Sequence, residues 1–434
     1  MVSKVFKSTY FFLFTVLFFT MISCNPVKKL NSEVNLEKNS IEEEIEIQQR
    51  IKTGASQISK YKNLLKDKKI GIVANQTSVL FSEAIQHKIA EKTKLAQTNY
   101  DIKPEEFTHI VDTLVSLNYT ISKVFSPEHG FRGTADASEL IADSVDKKTG
   151  IPIVSLYGNN KKPTAEQLKD VEIVLFDIQD VGVRFYTYIS TLHYVMEACA
   201  ENNIPLIVLD RPNPNAHYID GPTLDMDYQS FVGMHPVPLV YGMTIGEYAK
   251  MINGEKWLKD RIQCDLTVVP LRHYSHKIPY SLFIRPSPNL PNDKAINLYP
   301  SLGFFEGTPI NAGRGTEFQF QRYGAPYFPK SEFTYTPEPN FGSKSPKHQG
   351  KLCYGVDLSQ LKKLHKVSIE YILDAYNKTP KSESFFGPSF TIHAGSKTLE
   401  DQIKRGLTAT EIHDSWQPQI QEFVKTREKY LLYD

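Results

Sequence analysis

Lys69-Ile-Gly-Ile-Val-Ala74 is a short apolar run that is followed directly by three polar side chains, Asn75-Gln-Thr77. A nearly continuous apolar run of this length is typical of a strand that is buried on both faces of a sheet. Four further stretches have the same character and are predicted to be strands: Ile121–Phe125, Pro152–Leu156, Val171–Phe176 and Pro205–Leu209. Together they predict a sheet with a fully buried centre.

Helical patterns lie between these predicted strands. Apolar residues recur at helical spacing over Phe107–Leu117, and a helix is predicted over about Ser190–Asn202. Thr164-Ala-Glu-Gln167 and Thr244-Ile-Gly-Glu247 are capping boxes, which mark the starts of two more helices. Because parallel strands need crossover connections, strands that alternate with helices predict an α/β fold with a parallel, doubly wound sheet.

The first 24 residues have the features of an export signal. An uncharged apolar run, Tyr10–Ile22, follows two lysines and is too short for a comfortable membrane span. It ends in Met21-Ile-Ser-Cys24, which resembles a bacterial lipobox with methionine in place of the usual leucine. We expect residues 1–24 to be a lipoprotein signal peptide with Cys24 lipidated, and the protein to be lipid-anchored in the bacterial cell envelope, facing the periplasm or in the outer membrane. An ordinary signal peptide with an incidental cysteine is the alternative.

The mature chain is predicted to have three parts. Residues 25–56 are rich in Lys, Glu, Asn, Ser and Gln and contain no aromatic residue, which predicts a flexible tether. The remaining length suggests two domains. Since the pattern loosens near Leu290, we expect a sheet domain at 57–290 and a smaller C-terminal α/β domain at 291–434 that closes over it. Helices of the second domain are predicted at about Ser368–Asn377, Thr398–Lys404 and Pro418–Leu431.

Composition and motifs argue against several function classes. A formal net charge of +1 gives no support for nucleic-acid binding. Neither G-x-G-x-x-G nor a phosphate-binding P-loop follows the first predicted strand, so a dinucleotide or nucleotide cofactor is not expected. Cys199, Cys264 and Cys353 lack the spacing of metal ligands, as do the histidines. We therefore expect buried inert thiols, no metal and no other cofactor.

Four of the predicted strands end in polar clusters. These are Asn75-Gln-Thr77, Ser126-Pro-Glu-His129, Asp177-Ile-Gln-Asp180 and Asp210-Arg-Pro-Asn213. The carboxyl ends of parallel strands share one edge of the sheet, where ligands bind. Helix capping and turn formation are the ordinary explanation for Asp and Asn at such positions. Four clusters together favour one ligand site, and without a phosphate cradle a hydroxyl-rich ligand such as a sugar fits it.

Five sequence blocks resemble the signature blocks of the NamZ-type exo-β-N-acetylmuramidases. They are Ser126–Gly133, Asp177–Tyr188, Asp210–Pro214, Gly307–Thr316 and Gly324–Pro326, and the similarity extends from about Lys69 to Tyr433. The resemblance implies a Rossmann-like catalytic domain, a smaller C-terminal domain and a site in the cleft between them. It also implies release of N-acetylmuramic acid (MurNAc) from the non-reducing ends of peptidoglycan fragments of the MurNAc-GlcNAc type.

The family's catalytic glutamate, in its Pro-Glu-His-Gly block, matches Glu128. Glycoside cleavage needs an acid for the leaving oxygen and a second group at the sugar carbon. Glu128 is the expected acid, and His129 either tunes it or packs beside it. The second group is Asp177 or Asp180 acting as a base, or the 2-acetamido group of the sugar itself. The sequence leaves these routes open.

The lactyl carboxylate of MurNAc calls for a cation, ideally the two-pronged guanidinium of arginine. Arg132, Arg184, Arg211 and Arg314 all lie inside the motif blocks, and we expect at least one to bind the lactyl group; a structural salt bridge is the alternative for each. Glu306 is either a second buried site carboxylate or an ion-pair partner of an arginine. The remaining predicted substrate-binding residues are Asn75, Gln76, Gln179, Tyr186, Asn213 and Thr316.

Two other functions compete with the glycosidase. A non-catalytic peptidoglycan-binding envelope lipoprotein would keep the polar strand ends but would not need Glu128. An esterase or amidase acting on the cell wall is disfavoured, because the sequence has neither a G-x-S-x-G elbow nor an H-E-x-x-H helix. The only membrane contact expected is through the lipid anchor.

Overall fold

The structure is a computed structural model that describes residues 51–82, 106–132 and 144–434. Cys24, the predicted signal peptide and most of the predicted tether lie outside these residues. The described residues group as one compact unit. No helix among them combines the length and the apolar composition that a membrane crossing requires.

The described residues form twelve strands and ten α-helices. The strands are β1 (Lys69–Ala74), β2 (Val79–Phe81), β3 (Phe107–His109), β4 (Thr120–Ser126), β5 (Ser144–Val145), β6 (Pro152–Ser155), β7 (Ile173–Asp177), β8 (Leu206–Leu209), β9 (Leu266–Val269), β10 (Arg322–Ala325), β11 (Thr334–Tyr335) and β12 (Cys353–Asp357). The helices are α1 (Ile58–Leu65), α2 (Ile110–Ser116), α3 (Ala165–Leu168), α4 (Tyr188–Glu201), α5 (Ile245–Gly254), α6 (Asp293–Leu302), α7 (Glu370–Lys378), α8 (Phe390–Ala394), α9 (Thr398–Lys404) and α10 (Ala409–Arg427).

The main sheet has seven of the described strands in the order β5-β6-β4-β1-β7-β8-β9. Only β5 is antiparallel to its neighbour. Counted along the chain, the six parallel strands stand in the order 3-2-1-4-5-6, which is that of a doubly wound sheet. The direction of winding reverses between β1 and β7, so ligands are expected outside the carboxyl ends of these two strands.

Both faces of the sheet are covered, as the apolar runs predicted. Along β7, Ile173 and Leu175 join an apolar cluster with residues of α1 and α2. Val174 and Phe176 point to the other face and join a larger cluster with residues of α4 and α5. The predicted α/β fold with a parallel, doubly wound sheet is therefore confirmed. Cys199, Cys264 and Cys353 are buried, unpaired thiols, as expected.

Local signals located some helices well and misplaced others. The capping boxes at Thr164 and Thr244 are formed, and α9 has its predicted bounds. Phe107–His109 is a strand rather than the start of a helix, because it pairs with β2. The last helix was predicted to begin at Pro418, but α10 begins at Ala409 after a third capping box and continues through that proline.

The prediction of a tether is wrong for residues 51–56. Ile51 packs against Leu271 in a small apolar cluster, and Lys52 forms a β-bridge with Arg272. The Gly54 N–H donates to the Asp210 carbonyl at 2.8 Å. A Cβ at Gly54 would lie 2.5 Å from the Asp210 nitrogen, so only glycine permits this approach. Long-range pairing orders this stretch despite its polar composition.

The C-terminal part contains a three-stranded antiparallel sheet, β10-β12-β11, and the helices α7–α10. Its last residues return to the large sheet. The Leu432 N–H donates to Glu247 at 2.8 Å, and the Tyr433 hydroxyl donates to Asp210 at 2.6 Å. The end of the chain is thereby fixed to α5 and to the residue that follows β8.

Candidate active site

The strand order brings the four polar clusters to one edge of the sheet. β4, β1, β7 and β8 are consecutive neighbours, and Glu128, Asn75, Asp177 and Asp210 lie at or just after their carboxyl ends. We call this row of residues the crest. Its centre coincides with the reversal of winding between β1 and β7, where open α/β sheets bind ligands.

Glu128 is a partly exposed carboxylate on the turn after β4. Its Oε2 accepts a hydrogen bond from the Thr187 hydroxyl at 2.8 Å. The neighbouring His129 is buried and has a left-handed backbone with φ of 70°. Gly130 follows with φ of 81°, and its N–H donates to the Pro127 carbonyl at 3.1 Å. This tight turn leaves Glu128 accessible while its neighbours are enclosed.

The carbonyl of Pro286 accepts hydrogen bonds from three side chains and thereby fixes the loop that carries it. The donors are the Tyr186 hydroxyl at 2.6 Å, the Tyr188 hydroxyl at 3.4 Å and the Gln76 amide at 3.2 Å. Tyr188 also accepts from the Asn75 amide at 2.8 Å. Asn75, Gln76 and Tyr186 therefore lie together around Tyr188, whose hydroxyl is 3.4 Å from the Glu128 carbonyl. Asn75 and Tyr186 are buried, and substrate binding by these three residues stays a prediction. The side-chain oxygen of Gln76 is buried and has no hydrogen-bond partner among the described residues.

Asp177 was predicted as a catalytic base, but its geometry favours a structural role. Its two carboxylate oxygens accept from Arg211 Nε at 2.6 Å and Arg211 Nη2 at 2.9 Å. Asp177 is 0% exposed and Arg211 is 5% exposed. Burial raises the pKa of Asp177, and the charge of Arg211 opposes that rise. A carboxylate held in this way is not accessible to a water molecule at the sugar.

Asp180 is also enclosed. It is 3% exposed and accepts from the Gly182 N–H at 2.7 Å and from the Tyr241 hydroxyl. Burial raises its pKa to about 6, against the opposing effect of the Tyr241 bond. The geometry therefore gives no support to Asp180 as the base that activates water.

Gln179 and Asn213 brace loops rather than face the opening. The Gln179 amide donates to the Asp180 carbonyl at 2.8 Å and to the Pro212 carbonyl at 2.6 Å. Asn213 donates to the Met243 carbonyl at 2.8 Å and accepts from the Asn215 N–H at 2.8 Å. Both were predicted to bind substrate, and their hydrogen bonds within the protein favour a structural role.

The predicted arginines differ in what remains available to a ligand. Arg132 pairs with Asp146 at 2.8 Å and with Asp112 at 3.1 Å. Arg184 is 0% exposed, and its two terminal nitrogens donate to four backbone carbonyls. With Arg211 bound to Asp177, three of the four guanidinium groups are used inside the protein.

Arg314 is the exception. It pairs with Glu306 at 3.0 Å, and the two side chains are 29% and 27% exposed. Burial opposes the ionisation of Glu306, but Arg314 and then Lys347 outweigh it and hold the pKa of this carboxyl below its usual value. The Nε of Arg314 has no partner among the described residues. Thr316 bonds to the Gly313 carbonyl at 2.7 Å and so shapes the loop that carries Arg314.

Tyr299 connects this ion pair with the crest and was missed in the sequence. Burial raises its pKa, and the charge of Glu306 raises it further. The Tyr299 ring lies 6.2 Å from the ring of Tyr186. The Arg314 guanidinium lies 5.7 Å from the Phe320 ring, against which Tyr299 packs. Its ring packs against Phe185 at 5.0 Å and Phe320 at 4.8 Å between centroids. A tyrosine inside a helical pattern gives no signal in the sequence that separates a site residue from a core residue.

His109 hydrogen-bonds to the crest residue Asn75, and nothing in the sequence indicated this role. Its Nε2–H donates to the Asn75 carbonyl at 2.9 Å, while its Nδ1 accepts from the Val111 N–H at 3.2 Å and caps α2. This pairing requires the neutral ring. Burial lowers the pKa of His109 to about 4.

A pH dependence of stability follows from His109. Because its folded pKa lies below the value of about 6.5 in an unfolded chain, the unfolded state binds more protons between these values. Stability should fall as the pH drops through this range, by about 3 kcal/mol from this group alone. His109→Asn keeps a capping acceptor but does not titrate. Urea unfolding at pH 7 and pH 4.5 should show a clearly smaller loss for the variant, and equal losses would contradict the assignment.

Among the described residues, no group of three or more His, Cys, Asp or Glu side chains is arranged to hold a metal ion.

Comparison with known proteins identifies the family. The model of the N-terminal domain of the exo-β-N-acetylmuramidase NamZ matches residues 70–294, and that of its C-terminal domain matches residues 297–433. The chain belongs to the NamZ exo-β-N-acetylmuramidase family. The N-terminal match ends four residues after the predicted end of the first domain at 290, and the C-terminal match begins six residues after the predicted start of the second at 291. The domain boundary stays a prediction.

Relatives of the family agree over most of the chain. The peptidoglycan β-N-acetylmuramidase NamZ of Bacillus subtilis (strain 168) is 40% identical over 394 residues, which cover 86% of this chain and 89% of the relative. Two crystal structures of DUF1343 family proteins from Bacteroides fragilis NCTC 9343 have similar folds. One has a TM-score of 0.77 at 41% identity and covers 88% of this chain and 99% of its own. The other has a TM-score of 0.71 at 27% identity and covers 89% and 99%.

Proposed function

We propose that this protein is an exo-acting glycosidase that releases MurNAc from the non-reducing end of peptidoglycan fragments, with Glu128 as its catalytic carboxylate. The observation that carries the proposal is the position of Glu128. It is a partly exposed carboxylate on the crest, next to the reversal of winding, and a hydroxyl holds one of its oxygens at 2.8 Å. The family and the name of the Bacillus subtilis relative support the substrate class.

The chemistry assigned to Glu128 is general acid catalysis. Its carboxylic acid gives a proton to the glycosidic oxygen as the bond from that oxygen to C1 of MurNAc breaks. A water molecule then adds its oxygen to C1, and the proton it loses restores the acid. Asp177 and Asp180 are enclosed, so neither is suited to activate that water. This geometry favours assistance by the 2-acetamido group of the sugar over a second carboxylate.

Arg314 is the cation best suited to the lactyl carboxylate of MurNAc. Its guanidinium is partly exposed and lies 5.7 Å from the Phe320 ring, which packs against Tyr299. Arginine binds carboxylates through paired N–H donors, and a bond between charged groups contributes about 1.5–3 kcal/mol. Glu306 then orients Arg314 rather than reacting with the sugar.

The substrate class and the role of Arg314 are tested together with chromogenic MurNAc and GlcNAc glycosides. We expect the purified protein to release chromophore from the MurNAc glycoside only. Arg314→Met should raise KM for this substrate by about 10- to 100-fold, since it loses the charged pair with the lactyl group. Arg405→Met, which removes an exposed arginine of the C-terminal part, is the control and should keep the wild-type KM.

Two results would contradict these assignments separately. A wild-type protein that binds peptidoglycan fragments without cleaving them would replace the glycosidase with the non-catalytic binding lipoprotein. Equal KM values for wild type and Arg314→Met, in an active enzyme, would remove Arg314 alone.

Export, lipidation and a Rossmann-like domain are further parts of the proposal. The lysines, the apolar run and Met21-Ile-Ser-Cys24 support a lipoprotein signal peptide and an anchor at Cys24 in the cell envelope. Loss of labelled palmitate from a Cys24→Ala variant tests this, and retained label would contradict it. The strand order supports the Rossmann-like class for the sheet domain.

A further inference from the structure

Thr187 stands at the N-cap of α4 but does not cap it. Its backbone has φ of −73° and ψ of −2°, and its side chain makes no capping hydrogen bond. Thr164, Thr244 and Thr408 occupy the N-caps of α3, α5 and α10 with extended backbones, and each accepts from a backbone N–H of its helix. The protein thus uses threonine as an ordinary cap at three helices and differently at the fourth.

The Thr187 hydroxyl is instead directed to Glu128. It donates to Oε2 at 2.8 Å, and the residue is 9% exposed. The backbone around it is well fixed, because the Thr187 carbonyl accepts from the N–H groups of Ser190 and Thr191, both at 3.0 Å. A donor on the end of a packed helix therefore holds a carboxyl group that belongs to a loop. Such support limits the rotation of a reacting group.

We propose that Thr187 is a positioning residue for the acid Glu128. Because Oε2 accepts the Thr187 hydroxyl, the acidic proton is carried by Oε1 and is given from that oxygen to the leaving glycosidic oxygen. Without the hydroxyl, Oε2 loses this donor and can carry the proton itself, so less of the acid has its proton on Oε1. This inference rests on the proposed acid role of Glu128. It gives Thr187, which lies in the Asp177–Tyr188 block, a role other than helix capping.

The experiment compares Thr187→Val, Thr187→Ser and Thr191→Val with wild type. Valine has the shape of threonine without the hydroxyl, and serine keeps the hydroxyl. Thr191→Val is the matched control one turn further along α4, where the lost hydroxyl donates to the Thr187 carbonyl at 3.4 Å. Each protein is assayed on a MurNAc-GlcNAc disaccharide and on the 2,4-dinitrophenyl glycoside of MurNAc, whose leaving group departs without an acid.

On the disaccharide, Thr187→Val should lower kcat by about 10- to 100-fold with KM within about twofold of wild type. On the dinitrophenyl glycoside it should keep kcat within about threefold, since no proton is needed. Thr187→Ser and Thr191→Val should remain near wild type on both substrates.

Three results would overturn the proposal. They are an equal loss of kcat on both substrates, a loss in KM alone, and failure of serine to restore activity. Each is measured against an active wild type, so the proposal fails independently of the proposed function. If wild type releases no MurNAc, the proposed function fails first. A melting curve for each variant separates lost positioning from lost folding.

Discussion

Glu128→Gln is expected to lower kcat for MurNAc release from the disaccharide by about 10²- to 10⁴-fold, the usual contribution of a positioned acid. Glutamine has the shape of glutamate and can still accept the Thr187 hydroxyl, so the crest should keep its structure. Glutamine cannot, however, give a proton to the leaving oxygen. The expected effect is therefore on kcat, with little change in KM or in melting temperature.

Two controls make this result specific to the acid role. Glu332→Gln changes an exposed carboxylate of the C-terminal part and should leave kcat unchanged. The dinitrophenyl glycoside needs no acid, so Glu128→Gln should retain much of its activity on this substrate. An equally large loss on both substrates would instead assign Glu128 to the sugar carbon, and unchanged kcat on the disaccharide would exclude it from catalysis.

Arg211→Met is expected to lower the free energy of unfolding by about 3–5 kcal/mol, because it leaves the carboxylate of Asp177 buried without a partner. Asp177 is 0% exposed and both of its oxygens bond to this one arginine, so solvent cannot replace the lost charge. The Val79 carbonyl, which accepts from Arg211 at 3.2 Å, would also lose a donor. Urea unfolding followed by circular dichroism measures the change.

The double variant Asp177→Leu, Arg211→Met tests the cause. With both charges removed, most of the loss should be recovered, because a buried ion pair contributes little beyond an apolar pair of similar volume. Lys366→Met breaks the exposed pair with Glu370 at 3.3 Å and should change stability by less than about 1 kcal/mol. Equal losses in the single and double variants would show that packing around Arg211, rather than its charge, is what matters.

Much of the fold was predictable because its signals are local. β1 has its predicted bounds, and the capping boxes at Thr164 and Thr244 form as expected. Each of these features depends on residues within a few positions of one another. The convergence of the polar clusters was also predictable, since parallel strands place their carboxyl ends on one edge.

The role of each site residue was less predictable, because it depends on distant partners. Arg184 looked like Arg314 in the sequence, yet it bonds to the Ala394 carbonyl 210 positions away and is enclosed. Ile51 and Lys52 were predicted to belong to a tether, but they contact Leu271 and Arg272, which are distant in the sequence. Thr187 and His109 gave no local signal, since a hydroxyl or an imidazole in a motif does not reveal its acceptor.

The sequence by itself therefore determined the layers of this protein, the edge of the sheet that carries the site and the resemblance to one family. Apolar periodicity and helix capping depend on residues that are close in the sequence. The carboxyl ends of the strands must lie on one edge once the sheet is parallel. Only the tertiary structure decided which charged groups remain available to a ligand. Burial and long-range hydrogen bonds enclose Asp177, Asp180, Arg184 and Arg211 and leave Glu128 and Arg314 partly exposed. That selection depends on desolvation and on partners that no short stretch of sequence contains.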